Sequence, residues 1–237
     1  MENLGQKTAL ITGGTKGIGY GIAEAMLKEG MNVTITGRSQ AALDEAVSQL
    51  NQLAPSKVLG VVADVIDMEA QQHSIQATLS KFGQLDVLVA NAGVGHFASI
   101  EELTPAQWHE VIEVNLTGVF YSVKAALSAL RASQGYIITV ASLAGTNFFA
   151  KGSAYNASKF GLVGFSQAIM LDLRQYGIKV TTIMPGSVAT HFNNHQPNEA
   201  DAWKIQPEDI GQMTIDLLKM NPRTLPSKVE VRPTMPK

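Results

Sequence analysis

The chain of 237 residues contains no cysteine. That excludes disulfides, thiolate metal sites and a cysteine nucleophile. Charge is scarce as well, with 16% of residues charged and a net charge of −2. Without a basic field, neither nucleic acid nor an anionic membrane surface is an expected partner. No run approaches the roughly 18 apolar residues of a membrane span. The opening Met1-Glu2-Asn3-Leu4-Gly5-Gln6-Lys7 has neither the apolar stretch nor the cleavage site of a signal peptide. A soluble, cytoplasmic protein is expected. Internal repeats, low-complexity tracts and interdomain linkers are missing too, so residues 1–237 are expected to form one domain with a substantial core.

What the chain does have is alternation. Short apolar runs at 8–12, 32–36, 58–63, 85–89, 135–140 and 179–184 read as strands, and 228–231 adds a seventh. Helical stretches at 18–29, 40–50, 68–82, 106–130, 153–176 and 208–219 separate them. Continuously apolar strands must be covered on both faces, and strands alternating with helices imply right-handed crossovers. The expected fold is α/β: a doubly wound, Rossmann-like parallel sheet in three α/β/α layers, with ligand at the carboxyl ends of the strands. Residues 187–206, polar and carrying two histidines and three asparagines, are either a surface loop or a cover for that site. Their place after the sixth strand favours the cover.

Thr12-Gly13-Gly14-Thr15-Lys16-Gly17-Ile18-Gly19 joins the first strand to the first helix. Glycines 13, 17 and 19 permit a tight turn and a close backbone approach, and the helix N-terminus offers free amides to a pyrophosphate. Where NAD enzymes place an acid for the ribose 2′-hydroxyl, at the end of the second strand, the chain has Gly37-Arg38-Ser39. No carboxylate is there to repel a 2′-phosphate. Arg38 offers it a planar donor pair, and Lys16 adds a second positive charge, which favours NADP(H).

Tyr155 and Lys159 are four apart on a predicted helix and share a face. A neighbouring ammonium stabilises a phenolate, so Tyr155 is expected to titrate below its ordinary value and serve as general acid or base. Ser142, just past the fifth strand, is placed to hydrogen-bond a substrate oxygen, though by itself it also suits a turn.

Thr-Gly-x-x-x-Gly-x-Gly, Asn91-Ala92-Gly93, Asn115, Ser142, Tyr155-Asn156-Ala157-Ser158-Lys159 and Pro185-Gly186 stand in the order found in the short-chain dehydrogenase/reductase family, and from Lys7 to Thr190 the chain resembles it. The resemblance implies that Gly13, Thr15, Lys16, Gly17, Ile18 and Gly19 bind the dinucleotide phosphates. It implies roles for Arg38 and Ser39 at the adenosine ribose, and for Asp64 and Val65 at the adenine. Asp64 has the alternative of capping a helix. Asn91, Ala92 and Gly93 line the cofactor in the family, although Asn91 also suits a turn. Pro185, Gly186, Val188 and Thr190 would orient the carboxamide, and Tyr155 and Lys159 would touch the ribose. Asn115 matches the fourth catalytic position, where an asparagine helps order a proton-relaying water; as a polar residue within a helix it also distorts it. The implied activity is hydride transfer between NADP(H) and a small-molecule carbonyl or secondary alcohol, more often as a reductase. The implied assembly is a homodimer or homotetramer through the long helices. The ending of Lys228 to Lys237 lacks the glycine-rich form associated with family members that act on acyl carrier protein.

Two rivals remain: a dinucleotide-binding regulator without catalysis, and an NAD-linked alcohol dehydrogenase of the same fold. The Ser/Tyr/Lys/Asn set argues against the first and Arg38 against the second. His191 and His195 have H-x-x-x-H spacing but no third ligand in the sequence, and no metal is expected. His96 and Phe97 are either pocket or loop residues.

Overall fold

A computed structural model describes residues 4–235. The first three residues of the N-terminal stretch and the last two of the tail lie outside the described residues. The strands are β1 (Thr8–Ile11), β2 (Asn32–Gly37), β3 (Val58–Val62), β4 (Val87–Ala90), β5 (Tyr136–Val140), β6 (Lys179–Pro185) and β7 (Lys228–Val231). The helices are α1 (Gly17–Lys28), α2 (Gln40–Leu53), α3 (Met68–Phe82), α4 (Pro105–Ile112), α5 (Gly118–Ser133), α6 (Ser153–Leu173) and α7 (Pro207–Lys219).

All seven strands are parallel, in the order β3-β2-β1-β4-β5-β6-β7. The order reverses beside β1, and a doubly wound sheet opens a crevice there at the carboxyl ends of β1 and β4. Side chains alternate across the sheet. Ala9 and Ile11 of β1 join a core with Ile22 and Met26 of α1, Leu43 of α2 and Ile210 of α7. Leu10 faces the opposite core, with Ile75 of α3, Val123 of α5 and Leu162 of α6. Two cores, one per face, hold the crevice walls at fixed register.

The long helix expected at 106–130 is broken. Thr104 caps α4 in a capping box with Gln107, and Glu113–Thr117 then form a π-helical turn before α5 begins. Single π turns inside helices recur at functional sites, and Asn115 lies within this one. The helix expected at 153–176 ends at Leu173, with a 3₁₀ turn over Arg174–Tyr176.

Candidate active site

A cavity of about 1330 Å³ runs along the carboxyl edge of the sheet. At one end lies the β1–α1 loop. Gly13 and Gly17 have φ of +65° and +58°, a region that L side chains rarely adopt. Lys16, at the N-cap position of α1, makes no side-chain cap bond, so the first amides of α1 are open to an anion. Thr15, Lys16, Gly17 and Ile18 line the cavity with Gly13, and Gly19 does not. The third glycine is required by packing: a Cβ on it would stand 2.5 Å from Asn91 Nδ2 and from the Gly13 carbonyl oxygen.

Asn91 is the reason that space is tight. Its Nδ2 donates to the carbonyls of Thr12 (2.9 Å) and Gly13 (3.1 Å), while Thr12 Oγ1 accepts from the amides of Asn91 (3.0 Å) and Ala92 (3.1 Å). Four hydrogen bonds across some 79 residues of sequence tie the end of β4 to the glycine loop. Asn91 therefore stabilises the turn and lines the cavity as well.

Exposed Arg38 reaches the cavity, and among the described residues neither it nor Lys16 is given an ion-pair partner. Ser39 points elsewhere: it caps α2, accepting from the Ala42 amide at 3.4 Å, and is absent from the cavity wall. Asp64 and Val65 line the wall. The capping alternative for Asp64 is corrected, because α3 begins four residues later and Asp67 caps it, accepting from the amides of Glu69 and Ala70.

At the other end stand Ser142, Tyr155 and Lys159. Ser142 takes the turn role and also lines the cavity. Its Oγ accepts from the Ala144 amide at 3.1 Å in a short turn after β5, and the residue faces the cavity. Lys159 is 4% exposed. Its Nζ donates to the Val140 carbonyl at 3.1 Å and lies 5.7 Å from the centroid of the Tyr155 ring. Burial brings the lysine down to a pKa of about 8. The expectation of a lowered Tyr155 pKa is corrected. Burial pushes its hydroxyl up, only partly offset by a hydrogen bond with Ser142, because desolvation disfavours the phenolate and the ammonium lies against the ring while donating to a backbone carbonyl. Tyr155 is thus held neutral.

Asn115 is fully buried behind the wall. Its Oδ1 accepts from the Val94 amide (2.8 Å), and Nδ2 donates to the Val94 carbonyl (2.9 Å) and Ser158 Oγ (3.0 Å). The side chain clamps the loop after β4 to α6, the helix that carries Tyr155 and Lys159. Both amide hydrogens are committed, and the second lone pair of Oδ1 is the side chain's remaining acceptor.

Pro185, Gly186, Val188 and Thr190 line the cavity beyond β6. A Cβ on Gly17 would lie 3.3 Å from Thr190 Cβ and Cγ2, so the two loops meet closely. The 187–206 segment closes on itself: Ala189 donates to the Ile205 carbonyl (2.9 Å) and Ile205 to the Ser187 carbonyl (3.1 Å). Asp201, buried within it, accepts from Lys204 and pairs with His195, each at 2.6 Å. Hydrogen bonds from Lys204 and His195 hold its carboxyl far below the usual carboxylate range. His96 pairs with Glu110 at 2.7 Å and takes the loop role. Sequence reasoning missed Phe149 and Phe192, which line the cavity from loops; their places just after β5 and β6, on the ligand-bearing edge, were the available signal.

The family model for short chain dehydrogenase matches residues 7–201. An uncharacterized oxidoreductase of Staphylococcus saprophyticus is 33% identical over 234 residues, 98% of this chain and 100% of that protein. D-beta-hydroxybutyrate dehydrogenase of Cupriavidus necator is 38% identical over 203 residues, 85% of this chain and 78% of that protein. Among solved structures, an alcohol dehydrogenase from the archaeon Thermococcus sibiricus, complexed with 5-hydroxy-NADP, superposes with a TM-score of 0.91 at 29% identity, covering 98% of this chain and 99% of the other.

Proposed function

The chain belongs to the short chain dehydrogenase family of oxidoreductases, and on that premise we propose that it is an NADP(H)-dependent reductase of a small carbonyl compound. One domain binds the dinucleotide and performs the chemistry, with 187–206 as its cover. The observation that carries this is the convergence of the glycine loop, Arg38, Ser142, Tyr155 and Lys159 on one cavity.

The residues present fit the dinucleotide. The left-handed glycines and uncapped α1 amides suit a pyrophosphate. Arg38 and Lys16 suit a 2′-phosphate, and of the other cavity-lining residues Asp64 and Val65 would hold the adenine and Val188 and Thr190 the nicotinamide carboxamide. When bound, the nicotinamide supplies the hydride. Tyr155 donates its proton to the substrate oxygen. Ser142 holds the same oxygen through its hydroxyl and stabilises developing negative charge. Lys159 stabilises the tyrosine as it gives up the proton and provides charge near the ribose. Asn115 is a positioning residue that fixes the β4 loop against α6.

Phe120, Phe160 and Leu171, on α5 and α6, are each more than 40% exposed. Their apolar surface supports a homodimer or homotetramer through these helices, which sedimentation tests directly. A cytoplasmic location belongs to the same proposal. The activity test is loss of NADPH absorbance against a panel of ketones, ketoesters and quinones, with NADH and Tyr155→Phe in parallel. NADPH turnover that vanishes in Tyr155→Phe supports the proposal. Tight NADPH binding without turnover of any member returns the weight to a regulator.

A further inference from the structure

The substrate end of the cavity is built from rings. Phe149, after β5, and Phe192, after β6, line it, and Phe97, after β4, packs against both of them and against the candidate proton donor. Phe97 lies 5.4 Å from Tyr155, ring centroid to centroid, and Phe192 lies 5.7 Å from it. Phe97 is 6.4 Å from Phe192 and 5.9 Å from Phe149. These are edge-to-face and tilted contacts in the favourable range.

Two of the rings have fitted seats. A Cβ on Gly95 would stand 2.7 Å from Phe192 Cζ, and one on Gly152 would stand 2.6 Å from Phe149 Cε2. The rings are nonetheless not core: Phe97, Phe149 and Phe192 are 39%, 48% and 36% exposed. Apolar faces left open in a concavity beside a proton donor are what an apolar ligand covers.

Most basic groups at this end already have hydrogen-bond partners. Lys204 and His195 pair with Asp201, Arg232 pairs with Glu230 at 2.9 Å, and Lys159 is buried on a backbone carbonyl. Among the described residues lining this end, only His191, exposed at the rim, offers a charge on protonation without an acid partner. A substrate carboxylate would lose hydration without gaining an uncommitted cation, which is unfavourable.

We infer that the substrate is an uncharged ketone or aldehyde with a flat aromatic or compact alicyclic body, held among Phe97, Phe149 and Phe192 with its carbonyl at Tyr155. The inference rests on the proposed oxidoreductase function, and the two can be separated experimentally. The test is calorimetric binding of acetophenone and of acetoacetate to the full chain saturated with NADP+, a dead-end combination for a ketone, alongside kcat/KM for both with NADPH. Acetophenone is expected to bind at least about tenfold tighter than acetoacetate. Phe97→Ala and Phe192→Ala should each erase most of that preference by weakening acetophenone alone. Gly95→Ala, whose methyl displaces the Phe192 ring tip, should do the same while keeping every phenylalanine. Equal or tighter binding of acetoacetate, or aryl ketone affinity unchanged in all three variants, overturns the inference. Preferential turnover of acetoacetate overturns it and leaves the reductase standing. Selective binding of acetophenone without turnover of either ketone supports it and counts against the reductase.

Discussion

Replacing Lys159 by methionine should make the protein more stable while removing its activity. Lys159 is 4% exposed, and its ammonium donates a hydrogen bond to the Val140 carbonyl. Burial lowers its pKa from 10.5 to about 8. At ~1.4 kcal/mol per pKa unit, the folded state disfavours the charged lysine by about 3 kcal/mol. Methionine matches the side chain in length and carries no charge, but it leaves the Val140 carbonyl without that donor, at a cost of about 1 kcal/mol. The net expectation is about 2 kcal/mol of added stability near neutral pH, which for a chain of this size raises Tm by roughly 4–8 °C. The pH dependence makes the test specific. Below pH 8 the lysine is charged in both folded and unfolded chains, and the whole burial cost is present. Between pH 8 and 10.5 the unfolded chain binds more protons than the folded one, so wild-type stability rises with pH. The advantage of Lys159→Met should therefore shrink across that window. Urea denaturation at pH 7 and at pH 9.5 measures it. A methionine variant less stable than wild type at pH 7, or an advantage that does not change with pH, would refute the burial account.

Tyr155→Phe should lower kcat by 10²–10⁴-fold or more, with dinucleotide affinity kept within a few-fold, as read by steady-state kinetics and fluorescence titration. Arg38→Asp should cut the NADPH over NADH preference by about 10–100-fold in kcat/KM, the effect of losing a charge-assisted contact and gaining a repulsive one; an unchanged ratio would remove Arg38 from cofactor choice. Gly19→Ala should weaken dinucleotide binding and cost about 1–3 kcal/mol of stability, because the new methyl meets Asn91 Nδ2 and a backbone oxygen at 2.5 Å. Calorimetry and thermal melting would show both effects, and a variant with wild-type Tm would mean the loop has room that the geometry denies.

Periodicity and local chemistry made most of the fold legible in the sequence. Apolar runs alternating with helical stretches sufficed for a parallel, doubly wound sheet, because continuous burial and crossover handedness are properties of each segment and its neighbour. The glycine loop, Arg38, Ser142 and the Tyr155/Lys159 pair were legible for the same reason: each is short-range, and its place at a strand end puts it on the ligand-bearing edge. What only the tertiary structure decided depends on contacts across long stretches of chain. Asn91 reaches back 79 residues to Thr12, and that bond, invisible in the motif, places its amide where a Cβ on Gly19 would stand. Asn115 spends its side chain on Val94 and on Ser158, 43 residues away, inside a π turn that helical periodicity does not reveal. The direction of the Tyr155 pKa shift also reversed, since four-residue spacing brings an ammonium near a ring but cannot say how deeply both are buried or where the ammonium's bond goes. The gathering of Phe97, Phe149 and Phe192 around Tyr155 required three loops from three strands to meet, and only the register of the sheet brings them together.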